Sequence, residues 1–101
     1  MNVENAYKKQ LKAVGHKLKP VIMIAGNGVT ENIDAEIERA LEDHELIKIR
    51  LSIADRAIRK GVAEEICDTH KAELVQRIGN VVLIYRAAQK PNPKLSNLIR
   101  L

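Results

Sequence analysis

Apolar positions recur along the chain with two periods, and the switches between them mark out the elements. Tyr7, Leu11 and Val14 stand at helical spacing. Residues 5–14 therefore predict a helix, with Asn5 as N-cap and Gly15 as a stop signal. Pro20 sets an extended start for "VIMI", whose unbroken apolar character predicts a strand that is buried on both faces or central. Thr30 can cap the next helix, in which Ile33, Ile37, Ala40 and Leu41 form one stripe. In "ELIKIRL", Ile47, Ile49 and Leu51 face one way and Lys48 and Arg50 the other, as in a half-buried strand. Asp55 to His70 returns to helical spacing, with Ile58, Val62 and Ile66 on one side; Gly61 weakens that helix by roughly 1 kcal/mol relative to Ala. "ELVQRI" and "VVLIYR" flank Gly79-Asn80, a hairpin signal.

The predicted order is α-β-α-β-α-β-β. Right-handed crossovers make three strands parallel, with the last returning antiparallel. The fold class is α/β, an α+β two-layer domain around a mixed four-stranded sheet. Residues 1–88 form this domain. The segment 89–101, "QKPNPKLSNLIRL", has two prolines and reads as a loose basic tail. There is no internal repeat.

That topology gives one short loop a particular place. Parallel strands share an edge at their C-terminal ends, where α/β folds commonly bind ligands. The loop Ala25, Gly26, Asn27 and Gly28 ends the first strand there. Arg50 ends the second, Arg56, Arg59 and Lys60 open the next helix, and Arg77 ends the third strand. Lys8 and Lys9 return to the same edge if the first helix packs antiparallel to the first strand. Gly26, Asn27 and Gly28 can reach positive φ and point successive N–H groups into one concavity. The following helix adds its positive end, although Glu31 and Asp34 in its first turn oppose an anion. Two readings stand: a phosphate cradle, or a tight turn followed by a helix cap.

Charge favours the first. The 101 residues suit one domain, with 46% apolar and 30% charged residues. Net charge is +4, unevenly spread. Lys8 to Lys19 holds five lysines and no acid, Glu31 to Glu45 seven acids and one base, and Arg86 to Leu101 four bases and no acid. Such polarity suits a polyanion approached from one side. Tyr7 and Tyr85 are the only aromatics, which argues against reading bases by stacking on an aromatic sheet. Structured RNA gripped through phosphates and shape fits better.

Other chemistry has little support. His16, His44 and His70 show no ligand spacing, and neither a metal nor a cofactor is called for. His16 either caps helix carbonyls or contacts RNA. Cys67 can form no internal disulfide and reads as a small buried hydrophobe. The acids of 31–45 read as a solvated helix face; the alternative is an adaptor that docks a protein partner there. A small nucleotide-binding enzyme would need a phosphate-loop signature or a base–nucleophile constellation, and neither occurs. No apolar run nears the roughly 18 residues of a membrane span, and "MNVENAYKKQ" lacks a secretory apolar core, so a cytoplasmic protein is expected.

"LKPVIMIAGNGVTENI", "HELIKIRL" and "VVLIYR", in that order, resemble the bacterial single-domain YhbY proteins, the free-standing form of the CRM RNA-binding domain. The resemblance covers about residues 8–86 and makes 1–88 the CRM-like domain. It implies a fold similar to the C-terminal domain of the bacterial initiation factor that controls subunit joining. It also adds a role in ribosome biogenesis to the expectation of a monomeric, non-enzymatic protein. By the resemblance its partners are ribosomal RNA and precursors of the large ribosomal subunit. The acidic face of 31–45 could also dock a basic ribosomal protein or keep RNA off one side, and no membrane partner is expected. Plant relatives carrying several such domains act in organellar intron splicing. The family's G-x-x-G loop falls on Ala25-Gly26-Asn27-Gly28, with Ala25 in place of the first glycine. Lys12, His16, Leu18, Pro20 and Val21 match the preceding segment. Lys12 and Lys19 are either phosphate contacts or solvated lysines.

Overall fold

Seven elements follow one another: α1 (Asn5–His16), β1 (Pro20–Ile24), α2 (Glu31–His44), β2 (Leu46–Leu51), α3 (Arg56–His70), β3 (Glu73–Ile78) and β4 (Val81–Tyr85). The computed structural model describes residues 5–98; residues 1–4 of the expected domain and 99–101 of the expected tail lie outside the described residues. Thr30 and Asp55 start α2 and α3 by the same device. Each side-chain oxygen accepts a hydrogen bond from the backbone N–H three residues on, Ile33 at 3.2 Å and Ile58 at 3.0 Å. Two otherwise orphaned donors are thereby satisfied.

The sheet order is β1-β2-β4-β3, with β1 parallel to β2 and β4 antiparallel to both its neighbours. Three strands share one direction, as expected, but β4 lies between β2 and β3. The two-residue Gly79-Asn80 turn keeps β4 beside β3, and β2 pairs with its other side. β1 is therefore an edge strand, which corrects the expectation of a central or doubly buried one. Ile22 and Ile24 are buried while Val21 and Met23 are exposed. An apolar run does not say what covers its second face.

Helices lie on both faces of the sheet, so α1 adds a partial third layer to the expected two. On one face Ile37 and Leu41 of α2 and Ala63 and Ile66 of α3 pack against Ile22, Ile24, Ile47, Ile49, Leu51, Val82 and Ile84. On the other, Leu11 of α1 packs against Leu46, Val75 and Leu83, with Tyr7, Val14 and Tyr85 around them. Gly15 does not stop α1. It lies within the last turn, where a Cβ would come within 2.8 Å of Leu83 Cδ1. Only glycine lets the helix approach β4 this closely. Ile58 is exposed, so the buried stripe of α3 begins one turn later than its spacing suggests.

Two polar joints complete the fold. His70, buried at the end of α3, points Nε2 at Asp34 Oδ1 (2.9 Å) and Nδ1 at Glu38 Oε2 (2.5 Å). Arg86 donates to Glu38 Oε1 (2.7 Å) and to the His70 carbonyl (3.2 Å), and lies 3.8 Å from Glu42. The His70 hydrogen bond above all, and then Arg86, hold the Glu38 carboxyl below its ordinary range against the opposing effect of burial. At the second joint, buried Glu45 accepts hydrogen bonds from Ala88 N (2.8 Å) and Ser96 Oγ (2.7 Å). Asn97 Nδ2 donates to the Leu46 carbonyl at 2.7 Å. The segment expected to be loose is thus tied down as far as residue 98.

Candidate nucleic-acid interface

Ala25 to Gly28 form a turn closed by a hydrogen bond from Gly28 N–H to the Ala25 carbonyl at 2.9 Å. Of the three residues expected to reach positive φ, only Gly28 does, at 75°. Ala25 has no positive φ, so alanine fits the place of the family's first glycine without strain. The Gly28 N–H is engaged in the turn, and the Ile33 N–H is engaged by Thr30. Among the described residues the N–H groups of Gly26 and Asn27 have no partner, and a Cβ on Gly26 would meet nothing within 4 Å. The turn is therefore a tight turn with two N–H groups that have no internal partner, not a closed three-donor nest. Asp34, which would repel an anion here, is bonded to His70 instead.

Hydrogen bonds join this turn to the rest of the strand-end edge. Ser52 N–H donates to the Ile24 carbonyl (2.8 Å) and Leu51 N–H to the Asn80 carbonyl (2.6 Å). Beside them Arg56, Arg59, Arg77 and Gly79 line one hollow. Arg56 and Arg59 come from the first turn of α3, and Arg77 points to the same side from β3. Arg59 Nη1 donates to the Ile53 and Ala54 carbonyls at 2.7 and 3.0 Å, which fixes its guanidinium while leaving its charge unopposed. No carboxylate lines this hollow. Three cations lining one hollow give it a positive potential that would attract an anion.

The other expected bases are distributed differently. Lys60 is exposed on α3, next in sequence to Arg59. Arg50 and Lys19 line a second hollow, on the α1 side of the sheet. Lys12 is exposed on α1. Lys8 and Lys9 do not return to the edge. Lys8 lies 3.8 Å from Glu73, and Glu73 pairs with Tyr85 at the opposite end of the strands. Tyr7 meets Tyr85 there edge-to-face at 5.7 Å, while Gly15 reaches Leu83 and the Leu18 carbonyl accepts from Lys48 Nζ at 3.1 Å. The helix crosses the sheet rather than running beside β1, an angle that residue spacing does not encode.

The remaining chemical candidates are engaged or quiet. Burial, with Asp68 and Glu73 nearby, pushes the Cys67 thiol up to about 11, well away from a reactive thiolate. His44 is bonded through Nδ1 to the Leu95 carbonyl (2.8 Å). Asp34, Glu38, Glu42 and Glu45 all have partners inside the fold, so the acidic helix is less of a free face than its composition suggests. No group of three potential metal ligands occurs among the described residues. Sequence reasoning treated Gly79 only as a turn residue. It also missed the His70–Glu38–Arg86 joint, whose members lie too far apart in the chain to show a pattern.

The architecture is that of a small α/β domain with a basic strand-end edge. Comparison with known proteins narrows the class: the chain belongs to the CRS1 / YhbY (CRM) domain family, whose family model matches residues 3–86. It is 49% identical over 100 residues to the probable RNA-binding protein PA4753 of Pseudomonas aeruginosa, covering 99% of this chain and 96% of the relative. It is 42% identical over 88 residues to an RNA-binding protein of Haemophilus influenzae, covering 87% and 89%. The solution structure of the hypothetical protein SAV1595 from Staphylococcus aureus superposes with a TM-score of 0.77 at 30% identity, covering 88% of this chain and 93% of that one.

Proposed function

We propose that this protein is a non-enzymatic, cytoplasmic RNA-binding protein that grips structured ribosomal RNA through its phosphates. It acts in assembly of the large ribosomal subunit, bound as a monomer to precursor particles. The observation that carries this reading is the hollow of Arg56, Arg59 and Arg77, three guanidiniums with no carboxylate of the described residues lining it, on the strand-end edge that also carries the Ala25–Gly28 turn. Guanidinium forks match phosphate oxygens in geometry as well as charge. The names of the Pseudomonas and Haemophilus relatives, both RNA-binding, support the same class of ligand. Contacts of this kind position a protein on RNA without reading sequence, so the site recognises shape.

Gradient sedimentation of cell extract at low and moderate salt, with detection of this protein, tests the assembly role. The expected result is co-migration with particles lighter than the mature large subunit, lost as salt is raised. A protein found only at the top of the gradient under both conditions contradicts it.

A further inference from the structure

The face of the sheet that carries α1 is only partly covered. Beyond the helix, Met23, Arg50, Val81 and Ile78 stand in register, one from each strand, as a row across the whole sheet. Met23 is 61% and Ile78 64% exposed, one at each edge of the sheet. Two hollows open along this row. One is lined by Lys19, Val21, Met23 and Arg50, the other by Lys48, Gln76, Ile78 and Val81. No acid lines either. A folded protein docking here would need carboxylates to offset Arg50 and the two lysines. A single RNA strand brings both complements at once: phosphates for the cations, and flat apolar base faces for the aliphatic side chains and the guanidinium plane.

We infer that this row is a platform for unpaired nucleotides. The inference rests on the RNA-binding reading and extends it to a second kind of RNA structure. Four strands spaced about 4.8 Å apart give room for two or three bases, as on other four-stranded RNA-binding sheets. Ile78 is followed by Gly79, which lines the arginine hollow on the other side of the sheet. A strand leaving a duplex held at Arg56, Arg59 and Arg77 therefore passes round the Gly79-Asn80 turn onto the row. Without aromatic rings the platform accepts any base, and it discriminates unpaired from paired RNA rather than one sequence from another.

The test compares a blunt RNA duplex with the same duplex carrying a short single-stranded extension, using fluorescence anisotropy. The extension is expected to tighten binding a few-fold, less than a base stacked on an aromatic ring would give, since aliphatic side chains and one guanidinium replace the rings. The double variant Met23→Ser, Ile78→Ser should lose that gain and bind the blunt duplex as before; both side chains are exposed, so the fold is preserved. Equal binding of the two RNAs by the unmodified protein overturns the platform and leaves the duplex site standing. Binding of neither RNA overturns the RNA reading itself. A concentration-dependent dimer that the double variant abolishes assigns the row to a second copy of the chain, and also overturns the proposal.

Discussion

Two charged regions of this molecule behave in opposite ways. Where α2, α3 and the end of β4 meet, Asp34, Glu38, Glu42 and Glu45 are matched with His70, Arg86 and the C-terminal segment. At the strand-end edge, Arg56, Arg59 and Arg77 face one hollow with no acid among them. The formal charge of +4 is thus unevenly placed, with acids concentrated at the first region and bases at the second. Internally matched charge holds the chain together; the arginine charge at the edge is left without an acid in its hollow. The same contrast separates the glycines. Gly15 is closed in by Leu83, whereas Gly61 and Gly26 have nothing within 4 Å of a Cβ.

A substitution at Gly15 gives the largest effect. Gly15→Ala overlaps the buried Leu83 side chain, so Leu83 or α1 must shift, and an overpacked contact of this kind costs about 1–3 kcal/mol. Chemical denaturation would show it as a lowered midpoint; an unchanged midpoint means that α1 is not pressed against β4. Glu45→Ala removes the acceptor of two hydrogen bonds at a buried site, an expected loss of about 1–2 kcal/mol. Faster amide exchange in residues 88–97 than in the unmodified protein would accompany it. Gly61→Ala has the opposite sign. The site is helical and open, so stability should rise by roughly 1 kcal/mol.

The smallest effect concerns pH. Glu38 has a lowered folded pKa, so its contribution is fully present above the ordinary carboxylate range and is lost as pH falls through the lowered value. Its side chain is more than half exposed, which keeps the contribution small. Melting temperatures measured across the acid range should fall less steeply for Glu38→Gln than for the unmodified protein. Parallel curves would remove Glu38 from the account of acid stability.

Local patterns were the legible part of this fold. Thr30 as a cap, the alternation of Ile47, Lys48, Ile49, Arg50 and Leu51, and the Gly79-Asn80 hairpin all depend on neighbours in sequence, and all appear as expected. Strand order and helix angle depend on distant pairing. The edge position of β1 and the placing of Lys8 beside Glu73 were therefore hidden. The convergence of Arg56, Arg59 and Arg77 was legible because parallel topology alone brings those strand and helix ends together. Arg50 was assigned to the same edge, yet its side chain lies on the other face of the sheet. A strand's two-residue period reveals that its faces differ, but not which helix each will meet.

The most direct measurement is the salt dependence of RNA binding, for the unmodified protein and for the variant Arg56→Gln, Arg77→Gln. Arg59 is left in place because it also holds the loop before α3. The affinity should fall with salt in both, and the variant's slope should be shallower by about two, one for each lost phosphate contact. Identical slopes, with or without a loss of affinity, would mean that the arginine hollow does not hold the RNA backbone.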